Sequence, residues 1–198
     1  MDNLAYDDDY IDKPRFELID NKVVMMSPRP RIDHNRVCTN IVREFSTKLK
    51  GKICETFSDG VDLYLDRKNH FIPDVMIVCN PDIVKDYYIA GAPDLVVEVL
   101  SRSTAQNDRT KKKDAYEAAG VKEYWIVDIM NKAVEVYLNE NAHFYLSKIY
   151  YYYTDAEIAA NDALPEDDRY KIKNIDDRIQ LSIGDAFSVE LKDIFDRV

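Results

Sequence analysis

The stretch "RFELIDNKVVMM" (15–26) alternates apolar and polar positions on either side of Asp20-Asn21, and predicts a short β-hairpin over 16–28. Pro28 and Pro30 then interrupt the chain. From residue 33 the period changes. Val37, Ile41, Val42, Phe45 and Leu49 recur at helical spacing, so 33–49 reads as an amphipathic helix that Gly51 ends. "KICETF" and "VDLYLD" alternate again and flank "SDG", which predicts a strand–turn–strand. Two apolar runs follow, "FIPDVMIVC" (71–79) and "GAPDLVVEVLSRST" (91–104), each with Pro-Asp at its mouth and each short enough for a buried strand.

Beyond the second run, Ser103 or Thr104 can cap a helix reaching about Ala119, with Gly120 supplying its left-handed end. "VKEYWIVDI" (121–129) reads as a buried strand, and "KAVEVYL" (132–138) returns as a hairpin. "HFYLSKIYYYY" (143–153) pairs with it as a half-exposed strand, and the tail gives a further strand before a short helix or turn docks Ile194 and Phe195. The order helix, three strands, helix, strand predicts an α/β core with a β extension. The unit over 94–128 should be a right-handed crossover between parallel strands. Residues 1–198 fit one domain, with 1–14 an acidic, loosely ordered start.

Composition changes this picture little: 46% hydrophobic and 32% charged residues describe an ordinary globular chain. The net charge of −10 argues against broad adhesion to nucleic acid but leaves room for a local basic site. The acids gather in 2–12 and 161–169, which read as solvated end and loop segments, whereas "SRSTAQNDRTKKK" (101–113) holds five basic residues and one acid. Such a run is ordinarily a wet helix face. The first residues lack a signal-peptide pattern and no apolar run approaches a membrane span, so a cytoplasmic protein is expected. Cys38, Cys54 and Cys79 share no metal-like spacing and His34, His70 and His143 are scattered, so reduced thiols are expected rather than a zinc cluster.

Glu98 breaks the apolar run of its strand, and a buried carboxylate needs a cation. Side chains alternate along a strand, so Asp94, Val96, Glu98 and Leu100 share a face, as do Asp74, Met76 and Val78. If the two strands pair antiparallel, Asp74 faces Glu98, whereas Asp94 lies roughly 13 Å along the strand and ends the loop instead. Two carboxylates about 5 Å apart repel by roughly 3 kcal/mol at an effective dielectric near 20. A proton, a basic side chain or a divalent ion would relieve this. On the following helix, Ala105, Ala115, Tyr116 and Ala119 fall within about 60° of Lys112, so that lysine sits on the sheet-facing side. A lysine beside two carboxylates that can hold Mg²⁺ or Mn²⁺ is the equipment of metal-assisted phosphodiester hydrolysis. A two-carboxylate glycosidase fits the acids but leaves the inward lysine without a role.

"PD" at 73–74, "PDLVVEVLSRST" at 93–104, "DRTKKKDAYEAAGVKEYWIVD" at 108–128 and the terminal "LKDIF" together resemble the Uma-type family of restriction endonucleases, within the PD-(D/E)XK nuclease superfamily. The resemblance runs from about residue 15 to the end. It implies a restriction-endonuclease-like αβββαβ core, an α/β (α+β) fold with a mixed central sheet and additional C-terminal β-strands. It also implies Asp74 and Glu98 as metal ligands, joined by the main-chain carbonyl of Val99. Where the superfamily pattern expects lysine, two residues after the acid, this chain has Leu100. The sequence resembles variants in which the catalytic amine has migrated to the next helix, here to Lys112. Glu44 matches a first-helix glutamate found in the superfamily, and His34, Arg102 and Arg109 are candidates for contact with the substrate. The implied activity is a Mg²⁺-dependent DNA endonuclease forming a homodimer or higher homo-oligomer. A catalytically inactive binding or accessory protein on the same fold is the alternative, since a fold alone does not establish activity.

Overall fold

The computed structural model describes residues 15–26, 30–169, 176–183 and 187–198, so the loose start expected over 1–14 and the break at Pro28 lie outside the described residues. The chain opens with the hairpin of β1 (Phe16–Ile19) and β2 (Lys22–Met25), where Asp20 and Asn21 both take positive φ as a two-residue turn requires. Helix α1 (Ile32–Leu49) buries Val37, Ile41, Phe45 and Leu49, the stripe set by the sequence period. Next come β3 (Glu55–Ser58), β4 (Asp62–Tyr64), β5 (His70–Phe71), β6 (Val75–Val78), β7 (Tyr88–Ala90) and β8 (Leu95–Val99). Helices α2 (Ala105–Arg109) and α3 (Lys111–Ala119) lead to β9 (Glu123–Asp128), β10 (Ala133–Glu140) and β11 (His143–Tyr151). The chain closes with α4 (Asp155–Asp162), β12 (Arg178–Gln180), β13 (Ser188–Glu190) and α5 (Leu191–Ile194).

A six-stranded mixed sheet in the order β11-β10-β9-β8-β6-β3 forms the centre, with β8 and β9 parallel and its other pairs antiparallel. One face, including Val75, Ile77, Val97, Val99 and Trp125, packs on α1 and on Ile179, Val189 and Ile194 near the end of the chain. The other face, including Met76, Val96, Tyr124 and Ile126, packs on Tyr116 of α3 and on Leu63, Phe71 and Ile89. Those last three belong to a second sheet in the order β2-β1-β5-β4-β7. The α/β core of the sequence reading is therefore present, as α1, β3, β6, β8, α2–α3 and β9. Strand β11 is an edge strand that leaves Tyr145, Leu146, Ile149 and Tyr151 exposed.

Four sequence readings change. The alternating segments flanking "SDG" are not paired with each other. Strand β3 pairs β6 in the central sheet, while β4 pairs β5 and β7 in the smaller one, because the turn at Gly60 carries the chain between sheets. The single helix expected from 103 to 119 is broken at Thr110 (φ −126°, ψ −96°), whose hydroxyl donates to the Gln106 carbonyl at 2.6 Å and competes with regular helix bonding. Helix α4 was not anticipated. Its capping box was legible: Thr154 accepts from the Glu157 N–H and Glu157 returns a bond to the Thr154 N–H. The reduced-thiol expectation fails for Cys54 and Cys79, which form a disulfide. Continuing the register Glu55↔Val78 by one step sets these two cysteines opposite each other, a proximity that spacing along the chain does not reveal. Cys38 is free and buried.

Buried polar groups tie the layers together. Asn40 of α1 donates to the carbonyls of Ile194 and Asp196. Glu123 of β9 accepts from the Trp125 indole at 2.6 Å and from the Ser182 N–H and hydroxyl at 2.8 and 2.6 Å. Replacing Glu123 by Ala strands the buried Trp125 indole and frees the two donors of exposed Ser182 to water. The Glu123→Ala variant should lose about 2–3 kcal/mol in urea unfolding, in line with the usual cost of unsatisfied buried donors. A midpoint equal to that of the wild type would mean that water replaces the carboxylate there.

Candidate active site

Strand pairing assembles the first two acids. Strands β6 and β8 are antiparallel with Val75 opposite Val97, so one further step sets Asp74 opposite Glu98. Asp74 Oδ2 accepts the Val99 N–H at 2.7 Å, which fixes the carboxylate at the strand end. Asp94, the other Pro-Asp acid, accepts the Cys79 N–H at 2.7 Å and pairs with Lys122 at 2.7 Å. It closes the strand pair at its far end and takes no part in the cluster.

Glu98 is only 4% exposed, and its Oε1 accepts both the Lys112 ammonium at 2.6 Å and the Tyr116 hydroxyl at 2.7 Å. Lys112 is equally buried, at 4%. It lies one turn before Tyr116 on α3, so the helix presents both groups to the same carboxylate. Two further acids complete the enclosure. Glu17 of β1 reaches the ammonium at 3.0 Å and also accepts the Ile72 N–H at 3.1 Å. Asp108, at the end of α2, lies 3.7 Å away, and its Oδ1 is buried without a hydrogen bond.

Electrostatics follow from this crowding. Burial pushes the Glu98 carboxyl well above the usual range; Lys112 opposes that shift, while Asp108, Asp74 and Glu17 add to it. Burial acts to lower the pKa of Lys112, but the charges of Glu98, Glu17 and Asp108 outweigh it and hold the amine above the ordinary lysine value. Three carboxylates, Glu17, Glu98 and Asp108, thus surround one ammonium, with Asp74 opposite Glu98 on the neighbouring strand. That excess of negative charge would suit a divalent cation, and among the described residues the ligand atoms of His34, Cys38 and Asp74 lie within 4.8 Å of one another.

His34, in the first turn of α1, borders the same place. Its Nε2 lies 3.1 Å from the Val99 carbonyl and 3.4 Å from Asp74 Oδ2, and Cys38 Sγ lies 3.5 Å from its Nδ1. Burial lowers the pKa of this imidazole, yet the Asp74 bond and charge and the Val99 carbonyl outweigh it and raise the value. The other candidates lie elsewhere. Arg102 is exposed on the turn after β8. Arg109 is engaged with Glu135 at 2.7 Å and Asp128 at 3.7 Å, and Glu44 pairs with Arg43 at 3.5 Å. Sequence reasoning missed Glu17 and Asp108. Asp108 stands one helical turn before Lys112, a spacing that could have found it. Glu17 carries a weaker signal, sharing a strand face with buried Ile19.

A mixed sheet flanked by α1 on one face and α2–α3 on the other, with acids meeting across β6 and β8, defines a restriction-endonuclease-like α+β protein. Residues 6–172 match the Uma2 family model, whose description is "Putative restriction endonuclease", and the chain belongs to that family. Two curated relatives are both from Synechocystis sp. (strain ATCC 27184 / PCC 6803 / Kazusa). The uncharacterized protein sll1609 is 29% identical over 109 residues, 53% of this chain and 62% of its own. The uncharacterized protein slr1290 is 26% identical over 127 residues, 63% of this chain and 66% of its own. The chain therefore spans less than two thirds of either relative. Among solved structures, a protein described as "a putative nuclease belonging to DUF820", from Anabaena variabilis ATCC 29413, superposes with a TM-score of 0.62 at 18% identity. The match covers 92% of this chain and 90% of that one, and it establishes the shared fold. Among the described residues no helix is long and apolar enough to cross a membrane.

Proposed function

We propose that the chain is a nuclease, one domain that hydrolyses phosphodiester bonds in DNA with a divalent cation, Mg²⁺ or Mn²⁺, held by Asp74, Glu98 and the Val99 carbonyl. The observation that carries this reading is the enclosed Lys112 amine, 2.6 Å from Glu98 on a strand whose register brings Asp74 opposite. Membership of a family described as restriction endonucleases supports it. The bound ion supplies Lewis acidity toward the phosphoryl group and a more acidic water. The roles of the chain's own residues follow from their surroundings. Lys112, held as an ammonium by its acids, cannot accept a proton from water and instead balances negative charge growing on the phosphoryl oxygens. Lys112 and Tyr116 grip one oxygen of Glu98, which fixes the carboxylate and leaves its other oxygen to the ion. Arg102, exposed beside the site strand, is available to a backbone phosphate.

Purified protein should nick or linearise supercoiled DNA with Mg²⁺ or Mn²⁺, and Glu98→Gln should slow cutting by at least about 10²-fold. Undiminished cutting by that variant would rule out the site. A second reading, a non-catalytic binding or accessory protein, draws on the net charge of −10 and on the near-complete burial of Glu98 and Lys112. Calorimetric titration with Mn²⁺ separates the two, since the accessory reading expects no metal uptake by the wild type.

A further inference from the structure

We propose that His34 is a direct ligand of the divalent ion, through Nε2, and that this nitrogen biases the site toward Mn²⁺ over Mg²⁺. The inference rests on the nuclease reading above and sharpens it. Two ligands at right angles around a shared ion, each about 2.1 Å from it, stand about 3.0 Å apart. His34 Nε2 stands 3.1 Å from the Val99 carbonyl oxygen and 3.4 Å from Asp74 Oδ2, the spacing of neighbouring ligands on one ion. With no ion bound, the same distances are spanned by a hydrogen bond from Nε2 to the Val99 carbonyl and by pairing with Asp74. Ligand atoms of His34, Cys38 and Asp74 all lie within 4.8 Å of one another.

Cys38 completes the arrangement from the other side of the ring. Its Sγ faces Nδ1 at 3.5 Å from one turn further along α1, so it fixes the ring orientation while leaving Nε2 toward the strand ends. Cys38 is thus a positioning residue. Without an ion, a proton on Nε2 occupies the gap between imidazole, carbonyl and carboxylate. With one, the lone pair of Nε2 faces the ion and the proton sits on Nδ1, against sulfur. Mg²⁺ favours an all-oxygen shell, whereas an imidazole nitrogen suits the transition series.

The test is Mn²⁺ and Mg²⁺ titration calorimetry on the wild-type protein and His34→Gln, with pulsed electron paramagnetic resonance of the Mn²⁺-loaded wild type. The wild type should bind Mn²⁺ at least about 10-fold more tightly than Mg²⁺ and show nitrogen coupling to the manganese. In His34→Gln the coupling should vanish and Mn²⁺ affinity fall about 10- to 100-fold, with Mg²⁺ changed far less. Bound Mn²⁺ without nitrogen coupling in the wild type, or an unchanged Mn²⁺/Mg²⁺ ratio in the variant, overturns the role of His34 and leaves the oxygen site standing. Failure of the wild type to bind either ion overturns the metal-dependent reading as well.

Discussion

Lys112→Met should both destabilise the protein, by about 3–5 kcal/mol, and slow DNA cutting by roughly 10²- to 10³-fold. Methionine nearly matches the lysine stem in length, so packing against Phe71 is largely kept and the loss is electrostatic. Among the described residues, the amine is the cation bonded to Glu17 and Glu98 and the one paired with Asp108, at 3.7 Å. Without it, three buried acids repel one another in a poorly solvated site. Breaking a buried ion pair from one side costs more than the pair contributes. A second substitution exposes the cause: Lys112→Met combined with Glu98→Gln should recover part of the lost stability, about 1–3 kcal/mol, and none of the activity. Urea midpoints for the two variants and the wild type, beside a nicking assay below the transition, measure both effects. If the single variant unfolds no earlier than the wild type, the acids are not held as anions by the lysine.

Asp74→Asn should behave in the opposite way. The asparagine carbonyl can still accept the Val99 N–H now bonded to Asp74 Oδ2, so the strand end keeps its bond. What disappears is one negative charge, which opposes Glu98 with a repulsion worth up to about 3 kcal/mol at the separation of paired strands and outweighs the partly exposed pairing with His34 at 3.4 Å. The metal-free variant should therefore be at least as stable as the wild type, by about 1–3 kcal/mol, while cutting falls by roughly 10²-fold or more. Saturating Mn²⁺ should then reverse the order. At 100 times its dissociation constant an ion adds about 2.7 kcal/mol to the wild type and little to a variant that has lost a ligand. Thermal unfolding with chelator and with Mn²⁺ gives all four values. A metal-free Asp74→Asn protein that melts well below the wild type would show that Asp74 contributes structure, not stored repulsion.

Local periodicity made much of this site readable. Alternation along the β6 and β8 runs shows which side chains share a face, and the antiparallel pairing that the sequence reading took as its condition, and that the structure contains, then sets Asp74 opposite Glu98. Helical phase placed Lys112 inward despite the break at Thr110, because the break lies before the turn that carries Lys112 and Tyr116. The contributions of distant segments were not readable. Glu17 reaches Lys112 across 95 positions, and only the packing of the smaller sheet over the larger brings them together. Cys54 and Cys79 meet through strand pairing, 25 positions apart. His34 and Asp74 meet because α1 crosses the ends of β6 and β8, and no spacing along the chain encodes that crossing.

The origin of Glu17 in the first hairpin has a practical corollary. Tags, fusions or trimming that disturb residues 16–25 act on an amine nearly a hundred positions downstream, so a protein altered at its amino end can look inert for reasons unrelated to the nucleic acid offered. Alterations at the carboxyl end disturb instead the carbonyls that Asn40 holds, on the opposite layer of the sheet.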